Sequence, residues 1–256
     1  MDNNLHSDII CGKNAVTEAL RSGREIEYLM CAKGAKGAVV PIIAECKKRG
    51  IPVKEMPKEK LDFKLGGQNH QGMAVVVSSG EYCELSELIE KAKQNSPALI
   101  MILDCIEDPH NLGAIIRTAE TAGATGIIIP KRRSAGLNTT VYKVASGALE
   151  YVPVSRVGNL AAAIDELKAN GIWVYGADMH GEDIYSTDLT GNVAVVVGSE
   201  GSGISRLIKE KCDFLVKIPM FGKINSLNAS VAAGIMMYEA VRQRQNLQKG
   251  LKDYAG

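Results

Sequence analysis

Short aliphatic runs recur through the second half of this chain, at residues 98–104, 126–130, 173–177, 193–197 and 214–218. Each has strand length. Between them lie stretches whose apolar residues fall three and four apart, as on one face of a helix. Residues 112–121 show this at Leu112, Ile115, Ile116 and Ala119, and 141–150, 160–169, 205–211 and 228–244 read the same way. Strands that are apolar on both faces need cover on both faces, and helices threaded between parallel strands supply it. The expected architecture is therefore α/β with a parallel sheet, and its ligand should sit beyond the carboxyl ends of the strands. With 46% hydrophobic but only 5% aromatic residues, the core must be aliphatic.

The first half repeats the alternation on a smaller scale. Residues 14–21 read as a helix stopped by Ser22 and Gly23, 27–32 as a strand, and 38–48 as a helix closed by Gly50. A short strand follows at 52–56, then a helix at 57–65 with Pro57 in its first turn, then the strand 72–78. This is a compact α/β unit of its own, residues 1–80. Residues 81–97 are polar and charged, with Leu85, Leu88, Ile89 and Ala92 at helical spacing, and read as a linker helix. The second domain is expected over 98–256.

Several function classes lose support early. A formal net charge of +1 gives no bulk electrostatic case for nucleic acid, so any RNA contact must use local patches. Lys47-Lys48-Arg49 and Lys131-Arg132-Arg133 are the densest, although such runs are more often solvated faces. The six cysteines are scattered without a C-x-x-C, and the four histidines make no metal-ligand spacing with them. Reduced thiols in a cytoplasmic protein without a metal are expected. Met1-Asp2-Asn3-Asn4 does not begin a signal peptide, and no apolar run approaches the roughly 20 residues of a membrane span.

Polar residues crowd at three strand-to-helix junctions. The first runs from Asp104 through Glu107, Asp108, Pro109, His110 and Asn111 into Arg117 and Glu120, which share a helix face. A capped helix with a surface ion pair would explain it equally well. In the second, a valine strand enters Gly198-Ser199-Glu200-Gly201-Ser202-Gly203. It fits neither the dinucleotide fingerprint nor the phosphate loop, which leaves a small-molecule loop and a tight structural turn as equal readings. The third spans Ile218-Pro219-Met220 to Asn225-Ser226-Leu227-Asn228-Ala229-Ser230. Its side-chain amides and hydroxyls exceed what helix capping needs, which favours binding or catalysis. The small apolar run Val231-Ala232-Ala233-Gly234-Ile235 after it suits close packing on another element or a second subunit.

Taken in order, the three junctions resemble the signature motifs of the SpoU (TrmH-type) RNA ribose 2′-O-methyltransferases, in the SPOUT class. In the first half, Gly12-Lys13-Asn14-Ala15-Val16 with Glu18-Ala19-Leu20, and Asn69-His70-Gln71-Gly72, resemble the small substrate-binding domain of the ribosomal-protein-L30e type that many members carry. The resemblance implies S-adenosyl-L-methionine as cofactor, RNA as substrate, a homodimer, and a deep trefoil knot in the second domain. General rules of chain topology would not have suggested a knot. It implies catalytic or RNA-orienting roles for Arg117, Asn111, Glu200, Ser226 and Asn228, and cofactor contacts at Gly198, Ile218 and Leu227. The arrangement is most similar to bacterial members acting on a guanosine of 23S rRNA. The same chemistry on tRNA or another rRNA site is the alternative, followed by a non-catalytic L30e-type RNA-binding protein. The failed dinucleotide fingerprint disfavours an oxidoreductase.

Overall fold

The computed structural model describes residues 9–21, 25–37, 39–78 and 80–253, with side chains as far as 247. The expected helix stop at Ser22 and Gly23, the helix start at residue 38 and the segment Met1 to Asn4 lie outside them. The chain forms two compact units: Met1–Glu81 with Gly136–Thr139, and Tyr82–Ala135 with Thr140–Gly256.

In the first unit, a four-stranded mixed sheet has the order β1-β4-β2-β3. Its strands are β1 (Ile9–Cys11), β2 (Ile26–Ala32), β3 (Val53–Met56) and β4 (Met73–Val77). β4 lies in the middle and is buried at every residue, as its unbroken apolar run requires. Helices α1 (Lys13–Arg21) and α2 (Val39–Lys48) cover one face through Val16, Leu20, Ile42 and Cys46. Helix α3 (Lys58–Lys64) covers the other through Leu61. The short strand β1 had no distinct sequence signal, because three residues carry no period.

The second unit carries six parallel strands in the order β10-β8-β9-β5-β6-β7. They are β5 (Leu99–Asp104), β6 (Gly126–Pro130), β7 (Val154–Val157), β8 (Trp173–Asp183), β9 (Val193–Gly198) and β10 (Phe214–Lys217). Alternate residues of β5 face opposite ways. Ile100 and Ile102 pack with helices α4 (Leu85–Gln94), α7 (Leu160–Ala169) and α8 (Arg206–Lys211). Against the other face lie α5 (Pro109–Thr121) and α9 (Ala229–Asp253), and α6 (Thr139–Ala145) completes the helices.

Several expectations change. The linker helix over 81–97 is no linker. Leu88, Ile89 and Ala92 of α4 are buried in the second unit's core, and Leu88 lies where a β-carbon on Gly126 would stand. Charged residues on its outer face masked this in the sequence. The helix expected over 141–150 breaks after Ala145, because Ser146 and Gly147 take positive φ, and a single 3-10 turn follows at Ala148–Glu150. Strand β7 was missed, being only four residues long and half polar. Strand β8 runs past Ala177 to Asp183, and its pairing with β10 jumps from Gly176 to Glu182 between consecutive β10 residues. Gly181 permits this, since a β-carbon there would stand 2.4 Å from the main chain of Leu215 and Val216. The last helix extends to Asp253.

If α4 belongs to the second unit's core, Leu88→Ala should destabilise that unit by about 2–5 kcal/mol. Urea unfolding followed by fluorescence of the chain's single tryptophan, Trp173 in β8, reads this directly. A midpoint equal to wild type would return α4 to the role of linker.

Candidate active site

The strand order reverses between β5 and β9: from β5 the chain moves outward through β6 and β7, then returns to build β8, β9 and β10 on the other side. Such a switch point opens a crevice at the carboxyl ends of the two strands. Here β5 and β9 pair in unbroken register from Leu99↔Val193 to Asp104↔Gly198, so the first two polar junctions emerge side by side.

Asp104 ends β5 almost fully buried, and its Oδ2 accepts the Ser205 N–H at 2.7 Å. That bond folds the 199–205 loop back over the strand end. Ser199 and Gly203 form a bridge, and the loop passes so close to Gly198 that a β-carbon would stand 2.0 Å from the Gly203 carbonyl carbon. Glycine at 198 is thus a steric requirement. Of the two candidate caps for α5, Asp108 and Asn111, it is Asp108 that caps, accepting the His110 N–H at 2.9 Å, with Pro109 in the first turn.

The third junction arrives through α9. Asn228 caps this helix: its Oδ1 accepts the N–H of Ser230 at 2.9 Å and the Ser230 hydroxyl at 2.6 Å. Its Nδ2 donates to Asn111 Oδ1 at 2.9 Å and to Glu200 Oε1 at 2.5 Å. Asn111 Nδ2 also donates to Glu200 Oε1 at 3.1 Å, and the Ala229 N–H approaches the same oxygen at 3.3 Å. One residue from each junction therefore meets at Glu200 Oε1. Sequence separations of 89 and 117 residues close in this cluster.

Asn111, Glu200 and Ala229 line a cavity of about 360 Å³, together with Cys105, Glu107, Asp108 and Arg133. That volume falls in the range of small-molecule sites. Burial, and then the neighbouring Asp104 carboxylate, push the Cys105 thiol up to about 11, so it stays protonated near neutral pH and is a poor nucleophile. Among the described residues, no group of three His, Cys, Asp or Glu side chains could hold a metal ion.

The remaining residues of interest are placed differently. Arg117 is exposed on α5, six residues beyond Asn111 and so roughly 9 Å along the helix axis. Among the described residues no ion pair joins it to Glu120. Ser226 is exposed, and Leu227 and Ile218 are half-buried at the two ends of the β10–α9 connection. Among the described residues, the main chain of 220–226 makes no internal hydrogen bond, so its peptide groups are available to a ligand. The small run after Asn228 packs within the chain: Ala233 is buried, and Gly234 faces Thr118 of α5.

Sequence reasoning did not single out Arg244. Its guanidinium donates to the carbonyls of Pro97, Ala98 and Gly191 at 2.8–3.0 Å, at the opposite ends of β5 and β9. Burial lowers its pKa, since its acceptors carry no charge. Nothing in the local pattern marks one arginine among several near the end of a long helix.

A parallel sheet with an acidic crevice at its switch point places this chain among α/β proteins that bind a small ligand there, here one with a cationic or polar group. Residues 98–238 match the SpoU rRNA Methylase family, and residues 9–83 match the family described as RNA 2′-O ribose methyltransferase substrate binding. The chain is 50% identical over 240 residues to YacO of Bacillus subtilis (strain 168), named for the TrmH family of tRNA/rRNA methyltransferases, covering 93% of this chain and 96% of YacO. Among solved structures, the SpoU methyltransferase AviRb of Streptomyces viridochromogenes with AdoMet superposes with a TM-score of 0.60 at 25% identity, covering 93% of this chain and 90% of AviRb. An AdoMet-bound rRNA methyltransferase of Sinorhizobium meliloti gives 0.59 at 27%, covering 91% and 86%. The chain belongs to the SpoU methylase family and is an RNA methyltransferase with S-adenosylmethionine as its cofactor.

The residues present fit that cofactor. The main chain of 220–226, with no internal hydrogen bond among the described residues, suits recognition of an adenosine through peptide groups. The carboxylates of Glu107, Asp108 and Glu200 suit a sulfonium cation.

Asn228→Ala removes both the α9 cap and two bonds of the cluster. It should cost about 1 kcal/mol of stability and lower methyl transfer by about 100-fold through misplacement of Glu200. A urea midpoint and a single-turnover assay separate the two effects. An unimpaired rate in a destabilised variant would reduce Asn228 to a cap.

Proposed function

We propose that this chain transfers the methyl group of S-adenosylmethionine to a ribose 2′-hydroxyl of RNA, at a guanosine of 23S rRNA. The observation that carries this is the meeting of Asn111 and Glu200 on the wall of the cavity at the switch point, both held there by hydrogen bonds from Asn228. The substrate-binding family matched by residues 9–83 supports the ribose hydroxyl as acceptor.

When bound, the cofactor supplies a methyl group made electrophilic by its sulfonium. Gly198, Ile218 and Leu227 hold it through main-chain groups in this proposal. The chain must still orient the hydroxyl, accept its proton and offset the charge that develops on oxygen. Asn111, Asn228 and the Ala229 N–H all engage Oε1 of Glu200, which holds the carboxylate in place, and in this proposal its Oε2 accepts a hydrogen bond from the ribose hydroxyl. As the O–C bond would form and the methyl–sulfur bond break, leaving the spent cofactor as a neutral thioether, the hydroxyl proton would pass to that oxygen. Ser226 adds a hydroxyl that orients the RNA. Arg117 clamps a phosphate and stabilises the developing alkoxide, because a guanidinium stays protonated and serves poorly as a base.

The trefoil knot and the homodimer belong to this proposal. β10 lies at the sheet edge, whereas α9 packs on α5, β5 and β9 in the middle, so the 219–228 connection must cross back over the sheet. Exposed Phe221, Ile224, Val231 and Tyr238 offer apolar surface to a second copy. The six free cysteines fit a reducing cytoplasm.

Mapping 2′-O-methyl marks on rRNA and tRNA from cells with and without the gene tests the target. Loss of one guanosine mark on 23S rRNA is expected, whereas loss of a tRNA mark with rRNA unchanged would replace the substrate. For Arg117, the lysine variant should lose about 10- to 100-fold in kcat. Full rate with an unchanged pH profile would show that neither the fork geometry nor a perturbed base at Arg117 matters, and would overturn this role.

A further inference from the structure

Among the described residues, four other than glycine have positive φ, and two of them, Cys105 at 61° and Arg133 at 55°, line the candidate cavity. A β-carbon makes the left-handed region costly by about 1–2 kcal/mol. Residues held there persist where their surroundings over-determine them, and ligand clamps are a common setting. The surroundings of Arg133 are fixed. The Lys131 N–H donates to the Val157 carbonyl and the Ala135 N–H to the Ile106 carbonyl, both at 2.8 Å. Loop 131–135 is thereby tied at one end to the carboxyl end of β7 and at the other to the segment just beyond β5, with Arg133 in its middle.

Charge gives the second argument. Glu107, Asp108 and Glu200 line this cavity, and Arg133 is the one cation among its described lining residues. Its charge reaches the facing wall, where it opposes the upward push on the Cys105 thiol. Among the described residues no hydrogen bond or ion pair neutralises its guanidinium. A wall of carboxylates suits a sulfonium but repels a polyanion, so RNA entering this cavity needs a cation on the wall. Within a nucleotide, the 2′-hydroxyl and the 3′-phosphate sit on adjacent carbons of one sugar. A carboxylate and a guanidinium on the walls of one cavity match that pair of groups.

We propose that Arg133 holds the phosphate flanking the target ribose, and so sets which hydroxyl comes to rest at Glu200. This rests on the cavity being the place of transfer. The planar fork takes two phosphate oxygens at once, which a lysine does not. Arg133 is a substrate-binding residue here, separate from Arg117 on the exposed face of α5.

Arg133→Gly and Arg133→Lys in the full chain test the assignment. Glycine accepts the left-handed conformation without steric cost, so it removes the guanidinium while sparing the loop. With in vitro transcribed 23S rRNA as probe, Arg133→Gly should raise Kd about tenfold. The slope of log Kd against log salt should become shallower by about 0.7–0.9. Binding of S-adenosylmethionine, measured by calorimetry, should stay at the wild-type value. Arg133→Lys should restore the salt slope and only part of the affinity. Weakened cofactor binding with RNA affinity and slope unchanged would overturn the proposal in favour of the cofactor's carboxylate as ligand, and no change in either would overturn it outright. A wild-type chain that leaves no alkali-resistant ribose mark, while Arg133→Gly still flattens the slope, would sink the proposed reaction but not the phosphate contact.

Discussion

The parallel pairing of β5 with β9 is the constraint on which the rest of the second unit depends. Six consecutive residue pairs bring Asp104 beside Gly198, although 94 residues separate them along the chain. A slip of one residue would turn every side chain of a strand to the opposite face. Buried aliphatic residues on both faces forbid it, since Leu99 through Leu103 are at most 1% exposed. Core packing in the strands therefore sets the position of the polar loops that follow them, and Ile204 of the second loop joins that core.

Helix α9 carries the same constraint along the full length of the strands. At its start Asn228 is bound to Glu200 and Asn111, beyond the carboxyl ends of β9 and β5. Sixteen residues later Arg244 is bound to carbonyls at their amino ends. Sixteen helical residues span about 24 Å and six strand residues about 20 Å, so helix and strands are matched in length. The guanidinium meets only neutral carbonyls and is partly desolvated, which is an expensive fastening compared with an apolar contact. Its directional donors fix the helix register in a way that apolar packing alone does not. The two ends are coupled through a rigid rod: a displacement at Arg244 would be felt at the Asn228 cap, and through it at Glu200.

How much of this was legible in sequence follows from range. The long aliphatic strands and amphipathic helices were readable because their periods are local, and so were the caps at Asp108 and Gly50. Strands of three or four residues, such as β1 and β7, repeat their two-residue period too few times to be read. Helix α4 was assigned to a linker because its polar outer face is visible in sequence, while the depth of Leu88 beneath it is not. The three junctions were recognisable as polar excess at helix starts, and their order carried the family resemblance. That Asn111 and Asn228 meet at one carboxylate oxygen of Glu200, and that Arg133 lines the same cavity as Asn111 and Glu200, depends on strand order, which no local pattern encodes.

The near-neutral charge of the chain now has a physical context. A strongly basic protein would hold RNA by its backbone at many places, with affinity that bulk charge dominates. In the proposed reaction a transfer site for a cationic cofactor group needs the opposite sign of potential, and the carboxylates of this crevice would provide it. Both demands fall on one small cavity, and uniform charge of either sign would fail one of them. Placing a single guanidinium on a strained, doubly tied loop at the edge of an acidic wall separates the two potentials over a few ångströms. At that range, unscreened by bulk salt, individual charges count for more than the net charge of the whole chain.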